Sequence, residues 1–417
     1  MFILDKNTMF KKYFSSYLIV AVMVTMFVGG FYIGKGEHQI TVVNSNGEPV
    51  ESGSVTINEK DVKSYLGKDV DFDLFMDVWK MLKSRYVDQP VSETKMLYGA
   101  VSGLVSSLDD PYSVFLEPKI SEEFSESLNG RFEGIGAEIA IKHDILTIVS
   151  PLPDSPAEQA GLKPKDKVIK IDGVSTENMG INEAVDNIRG EKGTTVVLNI
   201  YRDGEDDFRD IEVIRDTIKV VSVTWEMKEN NIAYIYLRNF NTDTTLVFNS
   251  IQKEIIEANP SGIIFDLRSN PGGFLQSAVD VASAWIENDV VVIERSNNAY
   301  REYRSNGKPV FKDIPTVVLI NGGSASASEI TAGALQDYGV AYLIGEKSFG
   351  KGSVQIVEDL QDGSSVKFTI AKWYTPNNRT IDEEGIAPDE VIELTEEDFN
   401  EDRDPQLERA VEYLGKN

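Results

Sequence analysis

Ser326 stands in Asn321-Gly-Gly-Ser-Ala-Ser-Ala-Ser-Glu-Ile330, a run of small residues with the makeup of a nucleophile turn. A serine hydroxyl needs a neighbouring base before it attacks a carbonyl. Histidine would be the usual base. This chain has two, His38 and His143, neither near the turn, and it has no cysteine. The nearest substitute is Lys351 in Gly345-Glu-Lys-Ser-Phe-Gly-Lys-Gly-Ser-Val-Gln355, 351 − 326 = 25 residues downstream. The pair points to a serine–lysine hydrolase. Lysine acts as a base only when neutral, so burial must bring its amine down from about 10.4.

Three turns carry this chemistry. Val317-Val-Leu-Ile before the serine run reads as a buried strand, and the residues after it open a helix. Glycines permit the strained turn, and the helix start favours a developing anion. The competing interpretation is a small-residue linker with Ser328 as helix cap. Leu267-Arg-Ser-Asn-Pro-Gly-Gly-Phe274 also follows a buried strand and opens a helix, and its glycine pair can turn amides toward an oxyanion. Gly350-Lys-Gly-Ser-Val-Gln355 is the third turn. No Gly-x-x-x-x-Gly-Lys-[Ser/Thr] pattern occurs, which argues against a phosphate-binding loop.

The elements that must hold these turns alternate. Strands are expected at 232–237, 262–267, 290–293, 316–320 and 341–344, and helices at 244–258, 274–287 and 327–338. Such alternation predicts a parallel-rich α/β core. A hairpin is expected around Asp362-Gly363, followed by an acidic, partly helical tail. Ahead of the core, Phe75, Val78, Trp79, Leu82 and Tyr86 recur at helical spacing, and a second helix is expected at 93–107, together a packed helical lead-in.

Residues 132–217 read as short strands and helices that resemble a PDZ domain. Ser155-Pro-Ala-Glu-Gln-Ala-Gly-Leu-Lys-Pro-Lys-Asp166 is the specific sign. Gly134 and Gly136 would free backbone N–H groups for a terminal carboxylate, and the strand after them would accept an extended peptide. Ile135, Ala137, Ile139, Val185 and Ile188 are candidates to line the pocket, or else ordinary core residues. Arg189 would pair with a ligand carboxylate or stand solvated on the surface. Ala137 takes the place where eukaryotic PDZ domains usually carry an aromatic residue.

A net charge of −27 argues against a nucleic-acid partner. Residues 13–34 are uncharged and span about 33 Å as a helix, enough to cross a bilayer. Lys6, Lys11 and Lys12 precede them, so the expected arrangement is a cytoplasmic tail (1–12), a single-pass anchor (13–34) and a polar stalk (35–70), with the globular part outside. A cleaved signal peptide is the rival reading.

Taken together, the three turns resemble the carboxy-terminal processing peptidases, or tail-specific proteases. Gly-Ser-Ala-Ser-Ala-Ser-Glu-Ile, Gly-Lys-Gly-Ser-Val-Gln, Asn-Pro-Gly-Gly and Tyr374-Thr-Pro376 carry the match, which runs from about residue 72 to 414. The resemblance implies Ser326 as nucleophile, Lys351 as general base, Gln355 orienting the lysine, and an oxyanion hole from the N–H groups of Gly272 and Ala327. It implies a structural role for Asp337, no metal or cofactor, substrate C-termini as partners, and a homo-oligomer, with a dimer expected first. Asn377-Asn378 departs from the small residue and glycine more usual there. The expected fold class is a multidomain α+β and α/β protein. It has a transmembrane helix, a helical segment (71–131), a PDZ domain (132–217), a crotonase- or Clp-like protease core (218–400) and a helical tail (401–417). The readings from other classes are a non-catalytic PDZ adaptor and a crotonase-like hydratase or hydrolase.

Overall fold

The structure, a computed structural model, describes residues 71–205 and 207–416. The expected cytoplasmic tail, anchor and stalk lie outside those residues. Among the described residues no helix is long and apolar enough to cross a membrane. The described residues divide into two units, the first ending at Val91 and the second beginning at Ser92.

In the first unit, α1 (Phe72–Arg85) starts at Asp71, whose side chain accepts the Asp73 N–H. Phe72 stacks on Phe75 with ring centroids 5.1 Å apart, and Phe75 meets Trp79 at 5.9 Å. The sequence predicted a packed apolar face here. Instead the helix buries none of its residues, and Phe75, Val78 and Leu82 are exposed.

The second unit opens with α2 (Glu93–Ser106), β1 (Val114–Leu116) and α3 (Pro118–Leu128), and then β2 (Arg131–Gly134). A PDZ-like module follows: β3 (Ala137–Lys142), β4 (Ile145–Pro151), α4 (Pro156–Gln159), β5 (Lys167–Ile171), β6 (Val174–Ser175), α5 (Ile181–Ile188), β7 (Thr195–Tyr201) and β8 (Arg209–Ile214). Its sheet runs β3-β4-β5-β7-β8, leaving β3 at an edge. β9 (Asp216–Lys219) returns antiparallel to β2, so the module is inserted between two paired strands. Its core includes Ile148, Val168, Leu198 and Val213, all fully buried.

The rest comprises β10 (Val223–Lys228), β11 (Ile232–Leu237), α6 (Thr244–Ala258), β12 (Gly262–Asp266), α7 (Leu275–Ala282), β13 (Val290–Arg295), β14 (Tyr300–Arg304), β15 (Thr316–Ile320), α8 (Ala327–Asp337), β16 (Tyr342–Gly345), β17 (Ser353–Asp359), β18 (Ser365–Tyr374), β19 (Glu390–Val391), α9 (Glu396–Asn400) and α10 (Pro405–Gly415). One sheet runs β10-β11-β12-β15-β16-β19, parallel except for β10. Every residue of β12 and β15 is buried, as expected of a strand covered on both faces. Phe248, Phe265, Trp285 and Phe311 pack one face. Ala410 and Leu414 of α10 help cover the other, so the expected tail closes the core.

A second, antiparallel sheet was not foreseen. It runs β1-β18-β13-β14, with β17 also paired to β18. The turn at Asp362-Gly363 does join β17 and β18. However, β18 also takes β1 from far upstream on its other side.

Candidate active site

Ser326 caps the N-terminus of α8 with φ +54° and ψ −112°, a region that non-glycine residues rarely occupy. Holding it there costs on the order of 1–3 kcal/mol, which neighbours must offset. Glu329 does much of this. It is fully buried, and its Oε2 accepts the N–H of Ser326 at 2.7 Å and of Lys351 at 2.9 Å. Its Oε1 accepts the Ser348 hydroxyl and the Gly350 N–H, both at 2.6 Å. One carboxylate therefore joins the nucleophile turn to the lysine loop. Burial raises its pKa, and the four donors work against that rise. The linker interpretation, with Ser328 as the cap, is corrected. Ser326 holds the cap position, and the Ser328 hydroxyl donates to Asn270 O at 2.9 Å.

The turn after β12 lies against the serine. A Cβ on Gly272, whose φ is +99°, would meet Ala325 O at 2.7 Å, Ser326 Cβ at 2.8 Å and Ala327 N at 2.9 Å. Only glycine fits so close a backbone approach. Asn270 O accepts the Ala325 N–H at 3.0 Å, and Asn321 Oδ1 accepts those of Ser269 at 2.8 Å and Gly323 at 3.0 Å, so the two turns are stitched together. The Gly272 N–H donates to Asn270 Oδ1 at 2.9 Å. Among the described residues, no acceptor pairs with the N–H of Gly273 or of Ala327. In this arrangement the free amides beside Ser326 are therefore those two.

Ser326, Gly272, Gly273, Lys351 and Gln355 line one cavity of about 810 Å3. Phe124 and Leu128 of α3 close part of it, so the helical lead-in reaches the site. Lys351 Nζ stands 5.2 Å from the centroid of the Tyr112 ring. Among the described residues no carboxylate lies within ion-pair distance of it. Burial lowers its pKa, and the nearby Lys367 lowers it further, against the attraction of Glu329 and Asp110. Gln355 Nε2 donates to the hydroxyls of Ser353 at 2.5 Å and Thr369 at 3.3 Å, and it makes no hydrogen bond to Lys351 here. A hydroxyl, a depressed amine and free amides meeting in one cavity can carry out acyl transfer.

In the PDZ-like module, β3 lies at the open edge of the sheet and packs against α5. The carbonyls of Ile135 and Gly136 accept the N–H groups of Ala157 and Leu152, while their own N–H groups have no acceptor among the described residues. Gly136 has φ +72°, and a Cβ there would press on Ser155 Cβ at 2.6 Å. Ile135 and Ile188 are buried in the module's core, whereas Ala137, Ile139 and Val185 are half-buried. Gly134 is paired with Asp216 in the β2–β9 link. Arg189 stands 5.0 Å over the Phe132 ring and lines a second cavity with Lys119 and Arg131.

Residues 231–392 match the family model Peptidase family S41, residues 147–202 match PDZ domain, and residues 24–120 match Activating protease CtpB N-terminal domain. The carboxy-terminal processing protease CtpA of Bacillus subtilis (strain 168) is 40% identical over 339 residues, covering 80% of this chain and 71% of that protein. The carboxyl-terminal-processing protease of Picosynechococcus sp. is 38% identical over 324 residues, covering 75% and 77%. This chain belongs to peptidase family S41. A solved photosystem II D1 C-terminal processing protease matches with TM-score 0.50 and 28% identity over 77% of this chain and 92% of that one. An S41 protease structure from Bacteroides fragilis NCTC 9343, at 16% identity and TM-score 0.55, shares the fold.

As an S41 member with a PDZ domain, the chain is a serine-type peptidase. Several residues of this S41 site went unread in the sequence. Ser326-x-x-Glu329 has the spacing of a capping box, which was the available signal for Glu329. Asn270 had no such signal. Arg268 had none either: it grips Asp266 and Asp404, with contacts of 2.6–2.8 Å, and so ties the start of α10 to the end of β12. Asp337 accepts Arg379 at 2.5 Å and the Asn377 N–H at 2.7 Å, tying α8 to the turn after β18. Asn378 sits at φ +65°, which asparagine tolerates in place of glycine.

Proposed function

We propose that this peptidase is a membrane-anchored extracytoplasmic endopeptidase that recognises substrate C-termini through its PDZ domain and cleaves by a Ser326–Lys351 mechanism. Neutral Lys351 takes the Ser326 proton as the hydroxyl oxygen attacks the peptide carbonyl. The tetrahedral oxyanion is held by the N–H groups of Ala327 and of the Gly272–Gly273 turn, with Gly273 the free donor in this arrangement. Lys351 then protonates the leaving amine, and water hydrolyses the acyl-enzyme with the same lysine as base. Gln355 is assigned to orient the lysine from the same cavity wall, after leaving the Ser353 and Thr369 hydroxyls. The open edge of β3 takes the substrate tail as an added strand, with its carboxylate at the Ile135 and Gly136 amides.

The observation that carries this reading is the meeting of Ser326, Lys351 and the Gly272–Gly273 turn in one cavity. The anchor rests on residues 13–34. A homodimer is the proposed assembly. The test is to incubate the full chain in detergent with an unfolded protein bearing a free apolar tail, beside Ser326→Ala and Lys351→Ala. Wild type should cleave and neither variant should. Cleavage by either variant at the wild-type rate overturns the mechanism, and membrane release by carbonate washing overturns the anchor.

A further inference from the structure

A second amine lines the cavity of Ser326 and Lys351. Lys367 lies on β18, opposite Val357 of β17 and Val114 of β1, and its Nζ stands 5.3 Å from the centroid of the Phe124 ring. Among the described residues it makes no ion pair with a carboxylate, although this chain has 68 Asp and Glu residues against 41 Lys and Arg. Two lysines thus share one half-buried wall, each facing a ring in place of a carboxylate.

We propose that Lys367 is a positioning residue acting through Lys351: its positive charge opposes a second charge on the same wall and so favours the neutral amine a base requires. This rests on the Ser326–Lys351 reading above. The charged and titratable groups around the pair are these. Asp110 and Tyr112 come from the segment before β1, Glu329 from α8, and Glu294, Arg301 and Tyr303 from β13 and β14. Asp382, paired with Lys372 at 2.5 Å, and Glu383 come from the segment after β18 that packs on the Lys351 loop. Asp110 attracts both amines, but its carboxylate already accepts the Tyr112 N–H at 3.0 Å and the Ser113 hydroxyl at 2.5 Å. Glu329 is held by its four donors, and Glu294 accepts the Tyr303 hydroxyl at 2.6 Å. Burial lowers the pKa of Lys367 as it does that of Lys351, and Asp110 only partly offsets this. Placing a lysine beside a second cation is a known way to keep it neutral near physiological pH.

The test is the pH profile of kcat/KM for the full chain in detergent, using a blocked peptide without titratable side chains. The variants are Lys367→Met, Lys367→Gln and Lys367→Arg. Activity rises with pH as the base loses its proton. Removing the charge should move that rise upward by about one pH unit, a roughly tenfold loss below it with recovery above it. Lys367→Arg keeps the charge and should keep the wild-type profile. The proposal is overturned if Met and Gln leave the rise in place, or if all three variants lose activity equally at every pH. Lys351→Ala separates the two levels. If it stays active, the reading of the site fails. If it is inactive while the Lys367 profiles do not move, only this inference fails.

Discussion

Glu329 holds the backbone N–H of Ser326 at 2.7 Å and, with the same oxygen, that of Lys351 at 2.9 Å. Nucleophile and base lie 25 residues apart in sequence, and this buried carboxylate sets their spacing. Glu329→Gln keeps the shape but loses the charge, and its NH2 group confronts donors. It should lower kcat about 10–100-fold with KM little changed, measured on a peptide substrate. Circular dichroism separates this from unfolding, and a wild-type kcat in the folded variant would contradict it.

Gly272→Ala should be more damaging than its single methyl suggests. Its φ is positive, and its Cβ would fall within 2.9 Å of three atoms of the Ala325–Ala327 backbone and Ser326. Displacing the hole or the serine should reduce kcat by about 10²–10³. A wild-type rate in a folded variant would mean the turn does not touch the reacting centre.

Lys351 carries a stability cost that its removal should reveal. Its folded-state pKa is depressed below the unfolded value of about 10.4. The unfolded chain therefore binds the proton more tightly, and stability falls as pH drops through the folded value. Lys351→Met should abolish cleavage yet raise Tm at pH 7, because the penalty of burying the amine is gone. Above about pH 10.5 the gain should vanish. Thermal melts at both pH values check this.

The Arg268–Asp404 pair makes the C-terminal helix part of the catalytic domain. Burial alone would raise the Asp404 carboxyl, but the Arg268 hydrogen bonds override it and hold it below the ordinary value. That stabilisation is present above the unfolded pKa of about 3.9 and is lost as pH falls through the folded value. Asp404→Asn should cost about 1–3 kcal/mol at pH 7, because Arg268 loses two charged hydrogen bonds while keeping those to Asp266. Denaturant titration should show the deficit shrinking toward pH 3.

The sequence showed Ser326 and Lys351 clearly, because strand–turn–helix grammar and the shortage of histidine are local facts. The parallel strands were equally readable from their unbroken apolar runs. What depended on distant chain was not. Arg268 and Asp404 lie 136 residues apart, and β1 reaches β18 from far upstream, with Phe115 opposite Val366. Lys367 drew no reading from the sequence, since nothing local says that Phe124 of α3 stands beside it. The helix read at 274–287 stops at Ala282, where Ala284 N–H bonds to Val281 O and Trp285 N–H to Ala282 O. The apolar period continues through tighter turns that pattern alone does not separate from helix. Arg189, read as a groove or surface residue, found the face of Phe132.

The most direct test of the central claim is to trap the acyl-enzyme. The full chain is mixed with an activated peptide ester, quenched during turnover, digested, and mapped by mass spectrometry. The account predicts one acyl group on Ser326, formed at least 100-fold more slowly in Lys351→Ala. An acyl group on another residue, or equal rates of formation in Lys351→Ala and wild type, would contradict it.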